Sequence, residues 1–270
     1  MQKLLNGREL ADYIKQRQGG QVRALKQAHR LQPKLAIIVC VDNPVIEVYI
    51  KLKTRYGADI GVEVEIHRVK QPEMPQLIEK LNKDDSVHGV ITQLPLEDPK
   101  QTDQITNLVS PQKDVDALGK KAIYDPATAL AIMWLLAGYN IDLRGKHILL
   151  IGRGKLVGAP LERMLNTSGL DVEVATREVD DLKLKSLQAD VIITATGSPA
   201  ILYPEMIKAG AVVVDAGVAS EDGKTVGDLA PSVYERDDLI VTPVKGGVGP
   251  LTVCALFENV IRAAQSQITK

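Results

Sequence analysis

The segment that decides the fold runs from Lys146 to Leu165 and reads KHILLIGRGKLVGAPLERML. A short apolar strand leads into a glycine-rich turn, and a helical pattern follows. Glycines let a backbone turn tightly and approach a pyrophosphate, which binds at the N-terminus of the next helix. Because the spacing is GxGxxxG rather than GxGxxG, a turn that serves packing alone is the alternative. The candidate cofactor contacts in this turn are Gly152, Arg153, Gly154, Val157 and Gly158.

Short apolar runs alternate with helical patterns along the whole chain. Most of the runs are nearly continuous in apolar residues, which is typical of parallel strands that are covered on both faces. They lie at 35–41, 62–66, 87–92, 147–151, 172–175, 191–194, 211–214 and 239–241. The helical patterns lie at 9–27, 45–58, 74–82, 128–138, 160–166 and 251–266. This order predicts an α/β fold with right-handed crossovers.

A seam near residues 110–145 divides the pattern into two parts. It predicts two α/β lobes with a cleft between them. We expect a substrate-binding catalytic lobe at 1–118, completed by the C-terminal helix at 251–270. We expect a Rossmann-type dinucleotide-binding lobe at 119–250. Clefts between domains are common places for substrates to bind.

The composition excludes several classes of protein. The 33 Lys and Arg residues balance 34 Asp and Glu residues among 270, which gives no basis for binding nucleic acid or an anionic membrane. Two cysteines suggest neither a disulfide framework nor a cysteine-based zinc site, and we expect no metal. No signal-like core and no stretch of about 18 apolar residues appears, so we expect a cytoplasmic protein. Aromatic residues make up only 3%, which predicts an aliphatic core.

The end of the strand after the glycine turn indicates the cofactor. NAD sites place an acidic residue there for the ribose 2′-hydroxyl, whereas NADP sites use an arginine for the 2′-phosphate. Arg177 is the first charged residue after the strand Asp171–Ala175, and Arg153 adds a second cation. We therefore favour NADP. Glu178 is the counter-argument, because a shift of one residue would make an NAD site, and both charges could also simply be solvated.

Three further strands of the second lobe run into loops that contain glycine. They are Val191–Leu202 with the motif ATGSP, Val212–Val218, and Thr242–Thr252 with the motif TPVKGGVGPLT. In a doubly wound sheet such loops lie at the carboxyl edge beside the ligand. Packing turns are the alternative. The candidate ligand contacts are Thr196, Gly197 and Val218 for the cofactor, and Gly247, Pro250 and Leu251 for the substrate.

The first lobe carries the candidate acid–base group. In a helix over 45–58, Tyr49 and Lys53 are four residues apart and share a face. A lysine in a partly apolar cleft can have a lowered pKa and transfer protons, although a face with several cations is commonly just solvated. Gln93 follows a strand, and Asp114 and Asp116 lie at the seam, where a plain acidic loop is the alternative.

The motifs together resemble one family, the bifunctional methylenetetrahydrofolate dehydrogenase/methenyltetrahydrofolate cyclohydrolases. Hydrolase signatures such as GxSxG, HExxH and the Walker A run are missing. The matching pieces occur in the family's order and cover nearly the whole chain. They are VYIKLK, HGVITQLPL, QKDVDALG, IGRGKLVGAP, ATGSP, GDL and TPVKGGVGPLTV.

The resemblance implies an activity and roles for the site residues. NADP would oxidise 5,10-methylenetetrahydrofolate to the methenyl form, which water then opens to 10-formyltetrahydrofolate, in the one-carbon metabolism that feeds purine biosynthesis. Tyr49 would stack on the folate, Lys53 would transfer protons, Gln93 would hydrogen-bond Lys53, and Asp116 would bind the pterin. The resemblance also implies a homodimer joined through the cofactor domains.

The chain departs from the family in a few places. Ala117 stands where the family usually has glycine, Gly154 where serine is more common, and the segment 126–131 reads PATALA instead of Pro-Cys-Thr-Pro-x-Gly. A monofunctional dehydrogenase and a catalytically silent NADP-binding scaffold therefore remain alternatives. A short-chain dehydrogenase would also have Tyr-xxx-Lys, but there the pair follows the nucleotide turn, whereas here it precedes it.

Overall fold

The computed structural model describes residues 3–176, 181–221 and 224–268. The strands within these ranges are β1 (Lys3–Leu4), β2 (Lys34–Val39), β3 (Glu63–Arg68), β4 (Gly89–Thr92), β5 (Ile148–Ile151), β6 (Val172–Ala175), β7 (Val191–Thr194), β8 (Val212–Asp215), β9 (Ala219–Glu221), β10 (Lys224–Val226) and β11 (Ile240–Val241). The α-helices are α1 (Gly7–His29), α2 (Pro44–Ile60), α3 (Met74–Lys83), α4 (Thr102–Thr106), α5 (Ala127–Gly138), α6 (Gly158–Thr167), α7 (Leu182–Gln188) and α8 (Val248–Ile268).

The described strands form two parallel sheets and one hairpin. Six strands pair in the order β1-β11-β8-β7-β5-β6, three pair in the order β3-β2-β4, and β9 with β10 forms the antiparallel hairpin. Every pairing within the two larger sheets is parallel. The predicted α/β class with parallel strands is confirmed.

The chain folds into two compact units. Unit 1 comprises Met1–Ala11 and Thr128–Thr252, and unit 2 comprises Asp12–Ala127 and Val253–Lys270. We expected residues 1–11 in the first lobe, but β1 pairs with β11 and so extends the sheet of unit 1. We expected 119–127 in the second lobe, but this segment belongs to unit 2. There the Nδ2 atom of Asn259 donates 2.9 Å hydrogen bonds to the carbonyl oxygens of Val115 and Asp125.

The six-stranded sheet of unit 1 has a change of direction at β5, next to the edge strand β6. Strand β5 lies between β6 and β7, so the chain moves to one side of β5 and then returns to the other. Ligands of open α/β sheets bind outside the carboxyl ends of the strands at such a point. This topology brings the loops after β5 and β7 to one place. The hydrophobic core beneath them is aliphatic, with members such as Leu149, Ile192 and Val213 completely buried.

Unit 2 covers its three-stranded sheet with helices whose apolar faces are buried. Ala36 and Ile38 of β2 pack in one core with Met74 and Ile78 of α3. Aromatic residues are rare, but Tyr56 of α2 packs at a 5.0 Å centroid distance on Phe257 of α8, which is fully buried. The C-terminal helix is therefore part of the core of this unit.

The described residues contain neither a membrane-spanning helix nor a metal-binding cluster. None of the helices in them combines the length and the apolar character that a bilayer crossing requires. Within the same residues, no group of three or more His, Cys, Asp or Glu side chains is arranged to hold a metal ion.

Candidate functional site

Helix α2 presents the candidate acid–base residues of unit 2. Its buried side is formed by residues such as Ile46 and Ile50, which are 3% and 2% exposed. Tyr49 and Lys53 lie one turn apart, and the Tyr49 ring is 41% exposed. The helix therefore offers an accessible aromatic ring close to an amine, as the sequence predicts.

Gln93 lies directly after β4 and contacts Lys53. Its backbone N–H donates to the carbonyl of Ile38 at 2.9 Å, which fixes its place at the end of the strand. The Nζ atom of Lys53 donates to Oε1 of Gln93 at 2.8 Å, and Nε2 of Gln93 donates to the carbonyl of Leu94 at 3.0 Å. Because the amide group is held at both ends, Gln93 fixes the position of the lysine amine.

Lys53 and Asp116 shift each other's protonation. Burial lowers the pKa of Lys53, and the negative charge of Asp116 opposes this shift. Burial raises the pKa of Asp116, and the positive charge of Lys53 opposes that shift in turn. Both shifts favour the neutral forms, so the proton of this pair is more easily moved than that of an exposed lysine.

The structure gives the neighbouring residues Lys113 and Asp114 a different role. The carboxylate of Asp114 accepts hydrogen bonds from the backbone N–H groups of Leu118 and Gly119 at 3.3 and 2.8 Å. The Nζ atom of Lys113 donates to the carbonyls of Leu81 and Asp84 at 2.9 and 2.6 Å. These two buried residues tie the loop to the unit, whereas Asp116 is the aspartate whose charge acts on Lys53.

Replacing Ala117 with glycine should stabilise the protein. Ala117 has a φ of 56°, in the left-handed region that costs an L-residue with a Cβ about 1–2 kcal/mol. Glycine removes this cost, but its greater freedom in the unfolded chain offsets part of the effect. We therefore expect the free energy of unfolding to rise by about 0.5–1 kcal/mol. Urea unfolding of the full chain measures it. As a control, Ala58→Gly in helix α2 should destabilise by about 1 kcal/mol, and an unchanged Ala117→Gly midpoint would contradict the strain.

The glycine turn of unit 1 is built from close backbone contacts. Gly152 has a φ of 99°, and its N–H donates to the carbonyl of Ala175 at 2.9 Å. Gly158 begins α6 directly after Val157, and a Cβ on it would lie 2.1 Å from the carbonyl oxygen of Gly152. A Cβ on Gly154 would have no atom within 4 Å. Two of the three glycines are thus required by the turn itself.

This turn fits the pyrophosphate of a dinucleotide. Because Gly158 has no side chain, the start of α6 packs directly on the backbone of Gly152 and Arg153, which gives the turn its tight shape. In the first turn of α6 the N–H of Ala159 donates to the carbonyl of Gly154 at 3.0 Å and that of Leu161 to the carbonyl of Val157 at 2.9 Å, so an anion there would be met by the N–H of Gly158 and the positive end of the helix dipole. The residues that would hold the group are those around Gly152 and Gly158, at the change of direction in the sheet.

Two other candidate loops of unit 1 contact one buried carboxylate, that of Asp228. The Oδ2 atom of Asp228 accepts from the N–H of Thr196 at 2.7 Å, and its Oδ1 atom accepts from the N–H of Ser198 at 3.0 Å. Gly197 between them has a φ of 64°. A Cβ on Gly217, which precedes the exposed Val218, would lie 2.0 Å from Oδ1 of Asp228. Asp228 therefore sets the shape of both loops.

Sequence reasoning missed the role of Asp228 and its neighbour Asp215. The carboxylate of Asp215 accepts from the N–H groups of Gly217, Asp228 and Leu229 at 2.9, 3.1 and 3.1 Å. Burial raises the pKa of Asp215, and these hydrogen bonds oppose the shift. The sequence did offer a signal for both residues. Asp215 is the aspartate of the motif VVVDAGV and Asp228 that of the motif GDL, and each follows an apolar or glycine-containing run.

The residues predicted to read the cofactor's ribose are only partly described. Arg177 and Glu178 lie outside the described residues. Arg153 is described, and its Nε and Nη2 atoms donate to Oε2 and Oε1 of Glu162 at 2.6 and 3.1 Å. Thr176, the last described residue before this gap, is exposed at the end of β6.

The three predicted substrate contacts near α8 differ in accessibility. Gly247 is buried. Its carbonyl oxygen lies so close to Gly7 that a Cβ on Gly7 would be 1.8 Å from this oxygen. Pro250 is half-buried in the first turn of α8. Leu251 is completely buried, so the structure does not present it to a ligand as the sequence predicts. All three belong to unit 1.

Two family models together match almost the whole chain. The catalytic-domain model of tetrahydrofolate dehydrogenase/cyclohydrolase matches residues 5–116, and the NAD(P)-binding-domain model of the same family matches residues 126–268. The chain belongs to the tetrahydrofolate dehydrogenase/cyclohydrolase family. As a member, it is an enzyme with the two functional domains of this family. The prediction of this family, with both of its activities, is confirmed. The prediction of a nicotinamide dinucleotide site is confirmed as well.

Full-length relatives support the same membership of the tetrahydrofolate dehydrogenase/cyclohydrolase family. The bifunctional protein FolD of Campylobacter jejuni is 36% identical over 280 residues, covering 98% of this chain and 99% of that protein. Its crystal structure matches with a TM-score of 0.92, covering 99% of this chain and 100% of that one. The Trypanosoma brucei enzyme, solved with NADP cofactor and an inhibitor, matches at 26% identity with a TM-score of 0.93 over 100% of this chain and 99% of that one.

Proposed function

We propose that the protein oxidises 5,10-methylenetetrahydrofolate with NADP and then hydrolyses the methenyl product to 10-formyltetrahydrofolate. The observation that carries the hydrolytic half is the 2.8 Å contact between Lys53 and Gln93, beside the exposed ring of Tyr49. In the first step a hydride leaves the methylene carbon. In the second, water adds to the methenyl carbon and releases one proton, and the bond from this carbon to N5 then breaks as the remaining hydroxyl proton leaves, the carbonyl forms and N5 gains a proton.

Lys53 handles the proton of the attacking water in this proposal. A general base must reach the proton that it removes and must have a pKa near the working pH. Burial lowers the pKa of Lys53, so more of its amine is neutral at pH 7 than in an exposed lysine. Gln93 holds the amine in place, the Tyr49 ring stacks on the flat folate, and the Asp116 carboxylate accepts from the donor groups of the pterin.

The dehydrogenase half uses the turn at Gly152–Gly158 and the loops held by Asp228. Bound NADP supplies the hydride acceptor. The chain's own part is to hold the pyrophosphate at the start of α6 and to keep the Thr196–Ser198 and Gly217–Val218 backbones in place. NADP is preferred to NAD in this proposal because Arg153, and Arg177 after β6, would face the 2′-phosphate.

The remaining predictions concern the cellular setting. We propose a cytoplasmic homodimer, joined through the cofactor domains, that serves the one-carbon metabolism of purine biosynthesis and binds no nucleic acid. Membership of the family supports these statements. The balanced net charge of −1 is consistent with a partner that is not a polyanion.

The altered segment 126–131 is the feature that favours a silent scaffold. Helix α5 nevertheless starts at Ala127, directly after Pro126, and Ala127, Ala129 and Ala131 are 6%, 0% and 0% exposed. Alanine is the best helix former, so these departures are compatible with a regular helix. The contact of Lys53 with Gln93 is present, and we therefore prefer the bifunctional enzyme.

One assay tests the proposed function directly. Purified full-length protein is mixed with methylenetetrahydrofolate and either NADP or NAD, and the absorbance of methenyltetrahydrofolate is followed as it rises and decays. We expect both phases, with faster turnover on NADP. No turnover with either nucleotide would support the silent scaffold. A methenyl product that decays no faster than in buffer would support a monofunctional dehydrogenase.

A further inference from the structure

Arg153 in the glycine turn is engaged by a carboxylate of the same unit. Its Nε and Nη2 atoms donate to the two oxygens of Glu162 at 2.6 and 3.1 Å. Glu162 lies one turn into α6 with 19% of its side chain exposed, while Arg153 is 60% exposed. Two parallel hydrogen bonds of this kind are also how a guanidinium binds a phosphate.

Strand register places this pair beside the end of β6. Ile151 of β5 pairs with Ala175 of β6, and the N–H of Gly152 donates to the carbonyl of Ala175 at 2.9 Å. Arg153 and Thr176 therefore follow the ends of two neighbouring parallel strands. In Rossmann-type domains, the end of the second strand is where the ribose 2′-hydroxyl of NAD is distinguished from the 2′-phosphate of NADP.

The 2′-phosphate of NADP and the Glu162 carboxylate are both anions, and both can bind the guanidinium of Arg153. The guanidinium of Arg153 has five N–H donors, and Glu162 engages the Nε–Nη2 edge. A phosphate must displace Glu162 from this edge or bind the remaining one while the carboxylate repels it. NAD carries a neutral hydroxyl at this position, so its binding meets no such repulsion.

We propose that Glu162 is a specificity-determining residue that weakens NADP binding relative to NAD by competing with the 2′-phosphate for Arg153. The proposal rests on the proposed function, in which a nicotinamide dinucleotide binds at the Gly152–Gly158 turn. It makes Glu162 one of the residues that set the cofactor preference of this chain, through its ion pair with Arg153.

Calorimetric titration of the full chain with NADP and with NAD tests this proposal without relying on turnover. Glu162→Gln keeps the shape of the side chain and removes its charge. We expect it to tighten NADP binding about two- to fivefold, because the energies of exposed ion pairs correspond to changes of this size. NAD binding should change less than about twofold by the same reasoning, since a hydroxyl carries no charge. The gain should shrink at high salt.

Two further variants test whether the effect of Glu162 on NADP affinity depends on Arg153. In an Arg153→Met background, the Glu162→Gln gain on NADP should be much reduced, because the competition needs the guanidinium. Asp142→Asn removes another carboxylate from an ion pair of unit 1, the one with Arg144, and should leave both affinities unchanged. Thermal unfolding of each variant establishes that it is folded.

Several results would overturn the proposal. An unchanged ratio of NADP to NAD affinity in Glu162→Gln, or weaker NADP binding, would show that Glu162 does not compete. A full gain in the Arg153→Met background would contradict the route through Arg153. If the unaltered protein binds neither nucleotide, the cofactor assignment fails as well. If it binds one and the ratio does not move, only the role of Glu162 fails.

Discussion

Replacing Lys53 with methionine should slow the hydrolysis of methenyltetrahydrofolate by about 10²- to 10⁴-fold, the range that a general acid–base group contributes. Methionine fills a similar volume but cannot carry a proton. The dehydrogenase step should remain measurable, because its hydride transfer needs no proton from Lys53. The rate of methenyl absorbance decay, followed with enzyme and corrected for decay in buffer, gives the effect. Decay at the rate of the unaltered protein would rule out the role of Lys53.

A matched control is available two residues away. Lys51 lies on the same helix and is exposed, so Lys51→Met removes a lysine without touching Gln93 and should leave hydrolysis unchanged. A second variant tests the protonation state. Gln93→Glu places a carboxylate 2.8 Å from Nζ and should raise the pKa of Lys53. Because the neutral amine is the active form in the proposed mechanism, the rising limb of the pH–rate profile should then move to higher pH.

Replacing Gly158 with alanine should strongly weaken cofactor binding. The new Cβ would lie 2.1 Å from the carbonyl oxygen of Gly152 and 2.9 Å from the Cα of Arg153, and both are backbone atoms that cannot move aside. Overpacking of this kind costs about 1–3 kcal/mol, and any relief must open the turn that holds the pyrophosphate. We therefore expect nucleotide affinity to fall at least about tenfold and the melting temperature to decrease.

Gly154→Ala provides the comparison within the same turn. A Cβ at 154 would meet no atom within 4 Å, so affinity and stability should stay close to those of the unaltered protein. Calorimetry with NADP and NAD measures affinity, and scanning calorimetry measures stability. Equal behaviour of the two alanine variants would mean that the close approach at Gly158 has no part in binding.

The sequence pattern was most informative where an element is long or fully covered. Helices α1, α2 and α8, and the strands of both sheets other than β1, lie within a few residues of their predicted positions, because their apolar patterns are strong. Strand β1 could not be predicted, since it has only two residues, Lys3 and Leu4, both exposed. Its place depends on pairing with β11, more than two hundred residues away, and no local pattern carries that information.

The candidate site divides in the same way. The helical spacing of Tyr49 and Lys53 is a local property, and so is the glycine turn, so both could be predicted. The sequence could not predict which of the two aspartates, Asp114 or Asp116, acts on Lys53. The two differ only in the groups that surround them after folding. The pairing of Arg153 with Glu162 joins a turn to the following helix, and its presence depends on side-chain rotamers.

Neither unit is one continuous stretch of chain, and this has a consequence for folding during synthesis. Unit 1 has all its residues once Thr252 is made, whereas unit 2 also needs Val253–Lys270. Asn259, which bonds the carbonyls of Val115 and Asp125, leaves the ribosome after the whole of unit 1. The unit that supplies Lys53 and Gln93 is thus started early and completed last. Because its core is incomplete until α8 joins it, this unit cannot fold fully before α8 has been made, which departs from the usual N-terminal-first order.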